Sequence, residues 1–208
     1  PVTGSGLASG DPYLLQVSLQ NQGSGSFNVS DRNFNQGLNS GLFSNVQPPA
    51  NVRVTPGSGL GGNITVTSQS GQISLADRAS INASTAGLGQ GGNVLLQASS
   101  GAVNVTTGAR VETRTTGVGS VSEFGGNAGS ITVNAPDILV SGSSSLGGQP
   151  LFSGLLASSD TAKSGQGGEI IINNTAGGAG VGQTLRIGDG AFLSTLNRSD
   201  LDGRGITI

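Results

Sequence analysis

The 208-residue chain has no His, Cys, Met or Trp, one Tyr and six Phe, and only 10% of its residues are charged. Without imidazole or thiolate there can be no Ser-His-Asp or Cys-His triad, no His- or Cys-ligated zinc and no haem or iron–sulfur centre. Without Cys there are no disulfides, so cysteine usage says nothing of the redox compartment. Nine basic residues, scattered singly, and a net charge of −2 do not make the basic patch that a nucleic-acid partner requires. No apolar run approaches the 18 residues of a membrane-spanning helix. No signal peptide is visible. The chain opens on Pro1 rather than Met, which fits a processed or truncated N-terminus.

What the chain has instead is glycine, 38 residues of it, and short bursts of alternation. Ile64-Thr-Val66, Ile73-Ser-Leu75, Val103-Asn-Val105, Ile131-Thr-Val133 and Leu185-Arg-Ile187 place apolar residues at every second position. Period two predicts half-buried strands. No apolar stripe at helical spacing lasts three turns, and Gly interrupts nearly every window, so no substantial α-helix is expected.

The bursts recur. Gly61-Gly62-Asn63-Ile64-Thr65-Val66 matches Gly91-Gly92-Asn93-Val94-Leu95-Leu96, Ala128-Gly129-Ser130-Ile131-Thr132-Val133 and Gly167-Gly168-Glu169-Ile170-Ile171-Ile172, and Gly205-Ile206-Thr207-Ile208 opens another copy. In each unit a second strand follows about nine residues on: Ile73/Leu75, Val103/Val105, Ile138/Val140 and Leu185/Ile187. A third follows after small residues: Ala79-Ser-Ile81, Ala109-Arg-Val111 and Ala191-Phe-Leu193. Elsewhere the third strand reads Ser-Gly-Leu: Ser5-Gly6-Leu7, Ser40-Gly41-Leu42-Phe43 and Ser153-Gly154-Leu155-Leu156. Three strands per unit and glycine corners predict an all-β, right-handed parallel β-helix of about five coils over residues 1–208, with coils beginning near 13, 61, 91, 128, 167 and 205. The excess length is assigned to one corner, between the third strand and the next first strand, in 114–127 and 157–168. Segment 43–60 is read as the longest insertion, with Val52-Arg-Val54 as an extra strand.

The expected core ladder is Ile64, Val66, Val94, Leu96, Ile131, Val133, Ile170, Ile172, Ile206 and Ile208. One unit buries too little to offset the ordering of thirty or more residues, so the units must fold as an array.

The unit Gly-Gly-Asn-Ile64-Thr-Val, Ile73-Ser-Leu, Ala79-Ser-Ile81-Asn-Ala-Ser-Thr85 resembles the repeats of filamentous-haemagglutinin-like exoproteins, of the cyanobacterial type. The unit Ile138-Leu-Val140-Ser-Gly through Ser153-Gly-Leu-Leu-Ala-Ser-Ser159 resembles their second repeat type. The resemblance runs from residue 5 to 208. It implies a long secreted or cell-surface β-helix, exported through an outer-membrane transporter by two-partner secretion, that serves as an adhesin, biofilm component or toxin stalk.

The residues that could carry chemistry are few. Asp200 and Asp202 lie near Arg198 and Arg204 and read as a turn or surface salt bridge; Glu112 and Glu123 are the other close acids. Gly188-Asp189-Gly190 resembles a calcium-binding nonapeptide repeat, but it occurs once and reads as a β-turn. Thr65, Thr67, Thr106, Thr132 and Thr207 fall at outward positions, where Leu95 and Ile171 interrupt the ladder an ice-binding face would need. The sequons at Asn63, Asn104 and Asn173 follow from composition. Asn63 and Asn93 share one repeat position and read as a short internal Asn stack. Phe43, Leu156 and the position of Asn82 share another, with Phe192 one residue earlier, and form a candidate lateral interface.

The expected function is a non-catalytic structural or adhesive protein without cofactor or metal, secreted or at the cell surface. The chain is read as opening and closing mid-coil, so its partners are more of itself, in a longer chain or an end-to-end homo-oligomer, with Leu7, Ile206 and Ile208 as the stacking ends. Two alternatives stand beside this. One is a filament subunit built by end-to-end stacking. The other is a β-helix that binds or cleaves glycans, with a cleft lined by Asp200, Asp202, Asp189 and Arg198.

Overall fold

A computed structural model describes residues 62–85, 89–115, 125–162, 164–174 and 183–208, together with the backbone of the strands Val2–Ser5, Gln16–Asn21, Phe27–Ser30 and Gly41–Phe43. The readings placed on Leu7, Glu123, Val52-Arg-Val54 and segment 43–60 as an insertion lie outside these residues, apart from the backbone of Phe43.

The described chain is all β, and no helix occurs among the described residues. Three sheets carry it. The first joins, in order, β1 (Val2–Ser5), β2 (Gln16–Asn21), β5 (Ile64–Ser68), β8 (Val94–Ala98), β11 (Ile131–Asn134), β16 (Ile170–Asn173) and β19 (Ile206–Thr207). The second joins β3 (Phe27–Ser30), β6 (Ile73–Ala76), β9 (Ala102–Thr106), β12 (Asp137–Ser141) and β17 (Thr184–Gly188). The third joins β4 (Gly41–Phe43), β7 (Ser80–Asn82), β10 (Arg110–Glu112), β15 (Gly154–Leu156) and β18 (Phe192–Ser194). From β2 onward the chain visits first, second and third sheet in fixed rotation, and every ladder between successive visits is parallel.

Register follows the repeat. Val17, Ile64, Val94, Ile131, Ile170 and Ile206 are successive partners in the first sheet, and Val66, Leu96, Val133 and Ile172 form the next inner row. Alternation decides burial: β5 and β8 are buried at positions one, three and five and half-buried between. A single buried cluster draws Ile131 and Val133 from the first sheet, Ile138 and Val140 from the second, and Val111 and Leu155 from the third. The cluster is aliphatic throughout, as a parallel sheet's inner rows require.

The corner between second and third sheet is a two-residue turn with positive φ at both central positions. Asp77 and Arg78 adopt φ 52° and 68°, Thr107 and Gly108 adopt 55° and 80°, and Asp189 and Gly190 adopt 53° and 78°. In each, the amide after the turn donates to the carbonyl before it: Ala79 to Ala76, Ala109 to Thr106, Ala191 to Gly188. The string Gly188-Asp189-Gly190 is thus a turn, and the Asp189 carboxylate accepts from Ser141 Oγ at 2.6 Å. Thr107 is β-branched, the residue class least suited to positive φ. Thr107→Asn should therefore raise stability by about 1 kcal/mol, read as a higher midpoint in urea with an unchanged slope.

Insertions do not keep to one corner. Residues 143–152 form a hairpin, β13 (Ser143–Leu146) with β14 (Gln149–Phe152), at the corner between second and third sheet. Residues 174–183 lengthen the connection between first and second sheet, where the earlier ones have two to five residues. A hairpin satisfies its own backbone and closes its neck through Ser153 N donating to Gly142 O at 3.0 Å, so it leaves the flanking registers undisturbed. The start of the chain also differs from expectation. Ser5 belongs to β1, which pairs antiparallel with β2 at the edge of the first sheet, instead of opening a third strand at Ser5-Gly6-Leu7.

Candidate functional site

The inward positions are committed to packing. Ile64, Val66, Leu96, Ile131, Val133 and Ile170 are fully buried, and Val94 and Ile172 nearly so. Ile206 is 41% exposed and Ile208, one residue past β19, is 75% exposed. Function must therefore lie on the outward rows, the corners or the insertions.

The acidic residues do not converge. Asp189 sits in the turn before β18, whereas Asp200 and Asp202 lie exposed in the connection after it. Among the described residues no ion pair joins either of the latter to Arg198 or Arg204, and no group of three His, Cys, Asp or Glu side chains gathers as a metal site. Glu112 is nearly buried on β10 and held 3.7 Å from Arg110.

The outward face of the third sheet carries a cross-strand cluster. Asn82, Glu112, Leu156 and Ser194 form one row, and Phe43 is the backbone partner of Asn82 at its end. Phe192 lies two residues ahead of that row, level with Ser80, Arg110 and Gly154, and not one as the sequence alignment implied. Gly154 has no side chain, and a Cβ there would lie 2.9 Å from the Phe192 ring. The ring covers that gap and meets the Arg110 guanidinium 5.8 Å from its centroid. Arg110 Nε also donates to Phe152 O at 3.1 Å, tying the hairpin's base to β10. Asn82 Nδ2 donates to Glu112 Oε2 at 3.3 Å. Phe192 and Leu156 are half-buried in this cluster rather than presented as an apolar patch.

A buried column of hydroxyls follows the third strands. Beyond each third strand the period of two continues: Ile81-x-Ala83-x-Thr85, Val111-x-Thr113-x-Thr115, Leu155-x-Ala157-x-Ser159. Thr85, Thr115, Ser159 and Asn197 pair in parallel as single bridges, and the first three are buried. Their hydroxyls serve glycine-rich backbone: Thr113 Oγ1 donates to Gly129 O and Thr115 Oγ1 to Gly126 O, both at 2.7 Å. Ser159 Oγ accepts from Ser199 N at 2.9 Å. Removing such a partner strands a buried carbonyl. Thr115→Val, nearly isosteric, should cost about 1–3 kcal/mol in chemical denaturation, whereas Thr106→Val, half-buried on an outer row, should change stability by under about 0.5 kcal/mol.

The asparagine stack is external rather than internal. Asn63 Oδ1 accepts from Asn93 N, and Asn93 Oδ1 from Ser130 N, each at 2.8 Å, and both side chains are exposed. The stack joins side chain to the next strand's backbone and not amide to amide, because the glycines before each first strand leave those amides uncovered. Amide-to-amide pairing does occur at the opposite flank of the same face, where Asn173 Nδ2 donates to Asn134 Oδ1 at 2.8 Å.

The outward rows of the first sheet are nearly free of charge. The central row is Thr65, Leu95, Thr132, Ile171 and Thr207. One flanking row is Thr67, Gln97, Asn134 and Asn173. No family model, curated protein or solved structure matches the chain.

Proposed function

We propose that the chain is a right-handed parallel β-helix, three strands per coil and about five coils, that acts as a non-catalytic structural or adhesive protein, secreted or at the cell surface. The observation that carries this is the fixed rotation through three parallel sheets whose inner rows share one aliphatic cluster. A parallel crossover is overwhelmingly right-handed, which sets the hand. A body of this kind commits its inward residues to packing and offers long, regular outer faces, of which the first sheet's is mostly Thr, Asn and Gln with Leu95 and Ile171 set among them. Such faces suit adhesion and matrix-building better than chemistry. The resemblance of the repeats to filamentous-haemagglutinin-like exoproteins points the same way, with an outer-membrane transporter as the export partner.

Antibody labelling of intact producing cells tests the location, and a surface-attachment assay on cells deleted for the gene tests the role. Labelling without permeabilisation and a loss of attachment are expected. A protein found only inside the permeability barrier would overturn the reading.

A further inference from the structure

We propose that the outer face of the first sheet binds a neutral, extended, β-linked polysaccharide, one chain lying across the strands over the row Thr65, Leu95, Thr132, Ile171 and Thr207.

The row alternates hydroxyl and aliphatic side chains strand by strand, all half-buried except the exposed Thr207. Strands in one sheet are about 4.8 Å apart, so each kind recurs every roughly 9.6 Å. A β-1,4-linked sugar ribbon turns each residue over relative to the last. Its hydroxyl edges and apolar C–H faces therefore repeat every two sugars, over a closely similar length. Laid face-on, the ribbon turns a C–H face of every sugar toward the sheet and carries its hydroxyls along both sides, so Leu95 and Ile171 pack under alternate sugars and the hydroxyls of Thr65, Thr132 and Thr207 lie under the others, within reach of the hydroxyls at the edge.

The flanks supply what a polyhydroxylated chain needs beside it. Asn63 and Asn93 use Oδ1 on the neighbouring backbone, which leaves their Nδ2 donors without a protein partner among the described residues. On the opposite flank Thr67, Gln97, Asn134 and Asn173 add hydroxyl and amide groups. Amides and hydroxyls both donate and accept, as sugar hydroxyls do.

Charge selects among ligands. Glu169 is the one ionisable side chain on these described rows, and it accepts from Thr207 Oγ1 at 3.3 Å. With no Arg or Lys there, uronates, sulfates and phosphates find no counter-charge. The second sheet's outer face carries Asp137 and Arg186, and the third's carries Arg110, Glu112 and Arg114. Isolated aliphatics between hydroxyls do not make the contiguous apolar patch of a protein or lipid contact.

The inference rests on the β-helix reading only in placing these rows on an outer face. Its test is co-sedimentation of the 208-residue chain with microcrystalline cellulose and with chitin, and calorimetry with cellohexaose. Binding to at least one of these is expected, with none to pectate or heparin. Leu95→Thr with Ile171→Thr erases the alternation and should weaken binding about tenfold or more. Arg186→Thr lies on the second sheet, so it should bind as the parent does. No binding to any neutral polymer overturns the proposal, as does undiminished binding by the double variant or ice shaping in place of glycan binding. Circular dichroism melts on every variant separate lost binding from lost fold. Failure with the fold intact removes the ligand and leaves the adhesive reading standing.

Discussion

Ile131→Asp should leave the chain unfolded at room temperature, whereas Thr132→Asp, one residue on, should melt within a few degrees of the parent. Ile131 is fully buried, paired with Val94 on one side and Ile170 on the other. A carboxylate there has no partner in an aliphatic cluster and loses its water, at a cost of several kcal/mol. Thr132 is half-buried on the outer row, where a charge keeps its hydration and the cost is under about 1 kcal/mol. Thermal melts by circular dichroism read both. Equal damage from the two substitutions would contradict the alternation from which the whole fold is built.

Gly129→Ala should be nearly as damaging, although it adds one methyl group. A Cβ at Gly129 would collide with the Gly92 carbonyl, just as one at Gly92 would collide with Gly62 and one at Gly168 with Gly129. Backbone stacks directly on backbone in this column, and neither side has a flexible side chain to move. The substitution forces neighbouring strands of the first sheet apart where Thr113 Oγ1 bonds the Gly129 carbonyl. A loss of at least about 2–3 kcal/mol is expected. Gly188→Ala is the control: its Cβ would meet nothing within 4 Å, and the change should lie within about 0.5 kcal/mol of neutral.

These two columns also show what could be read from the residues alone. Ile64-Thr-Val66 and its copies carry strand, face and register together, because a period of two leaves one way to bury the apolar set. The corners were less legible. Asp77 and Arg78 take positive φ without a glycine to announce it, so the turn chemistry that glycine and asparagine normally signal was absent. The hairpin Ser143–Phe152 was missed because Ser-rich residues after Val140 look like any loop, and only the antiparallel pairing of Ser143 with Phe152 distinguishes them. Ser5-Gly6-Leu7 matched Ser153-Gly154-Leu155 as a tripeptide, yet three residues carry no information about direction, and β1 runs antiparallel to β2. The buried hydroxyl column was within reach. Thr85, Thr115 and Ser159 extend the period of two past the last aliphatic residue, but Ser and Thr at strand ends are ordinarily read as solvated.

The outer face of the first sheet was only partly legible. Thr65, Leu95, Thr132 and Ile171 were in hand as a ladder interrupted by aliphatics. Their meaning changes once the registers make the interruptions regular and the flanking rows uncharged. Asp200, Asp202 and Asp189 drew attention by chemistry alone, and topology sends them to opposite ends of β18.

The proposal that the three sheets close around one core is tested most directly by methyl–methyl nuclear Overhauser effects in protein labelled at Ile, Leu and Val methyls. Ile131 and Val133 in the first sheet, Ile138 and Val140 in the second, and Val111 and Leu155 in the third belong to one buried cluster. Cross-peaks should therefore link methyls of all three sheets within the same coil, alongside the ladder contacts from coil to coil. Cross-peaks confined within each sheet, with none between sheets, would contradict a β-helix.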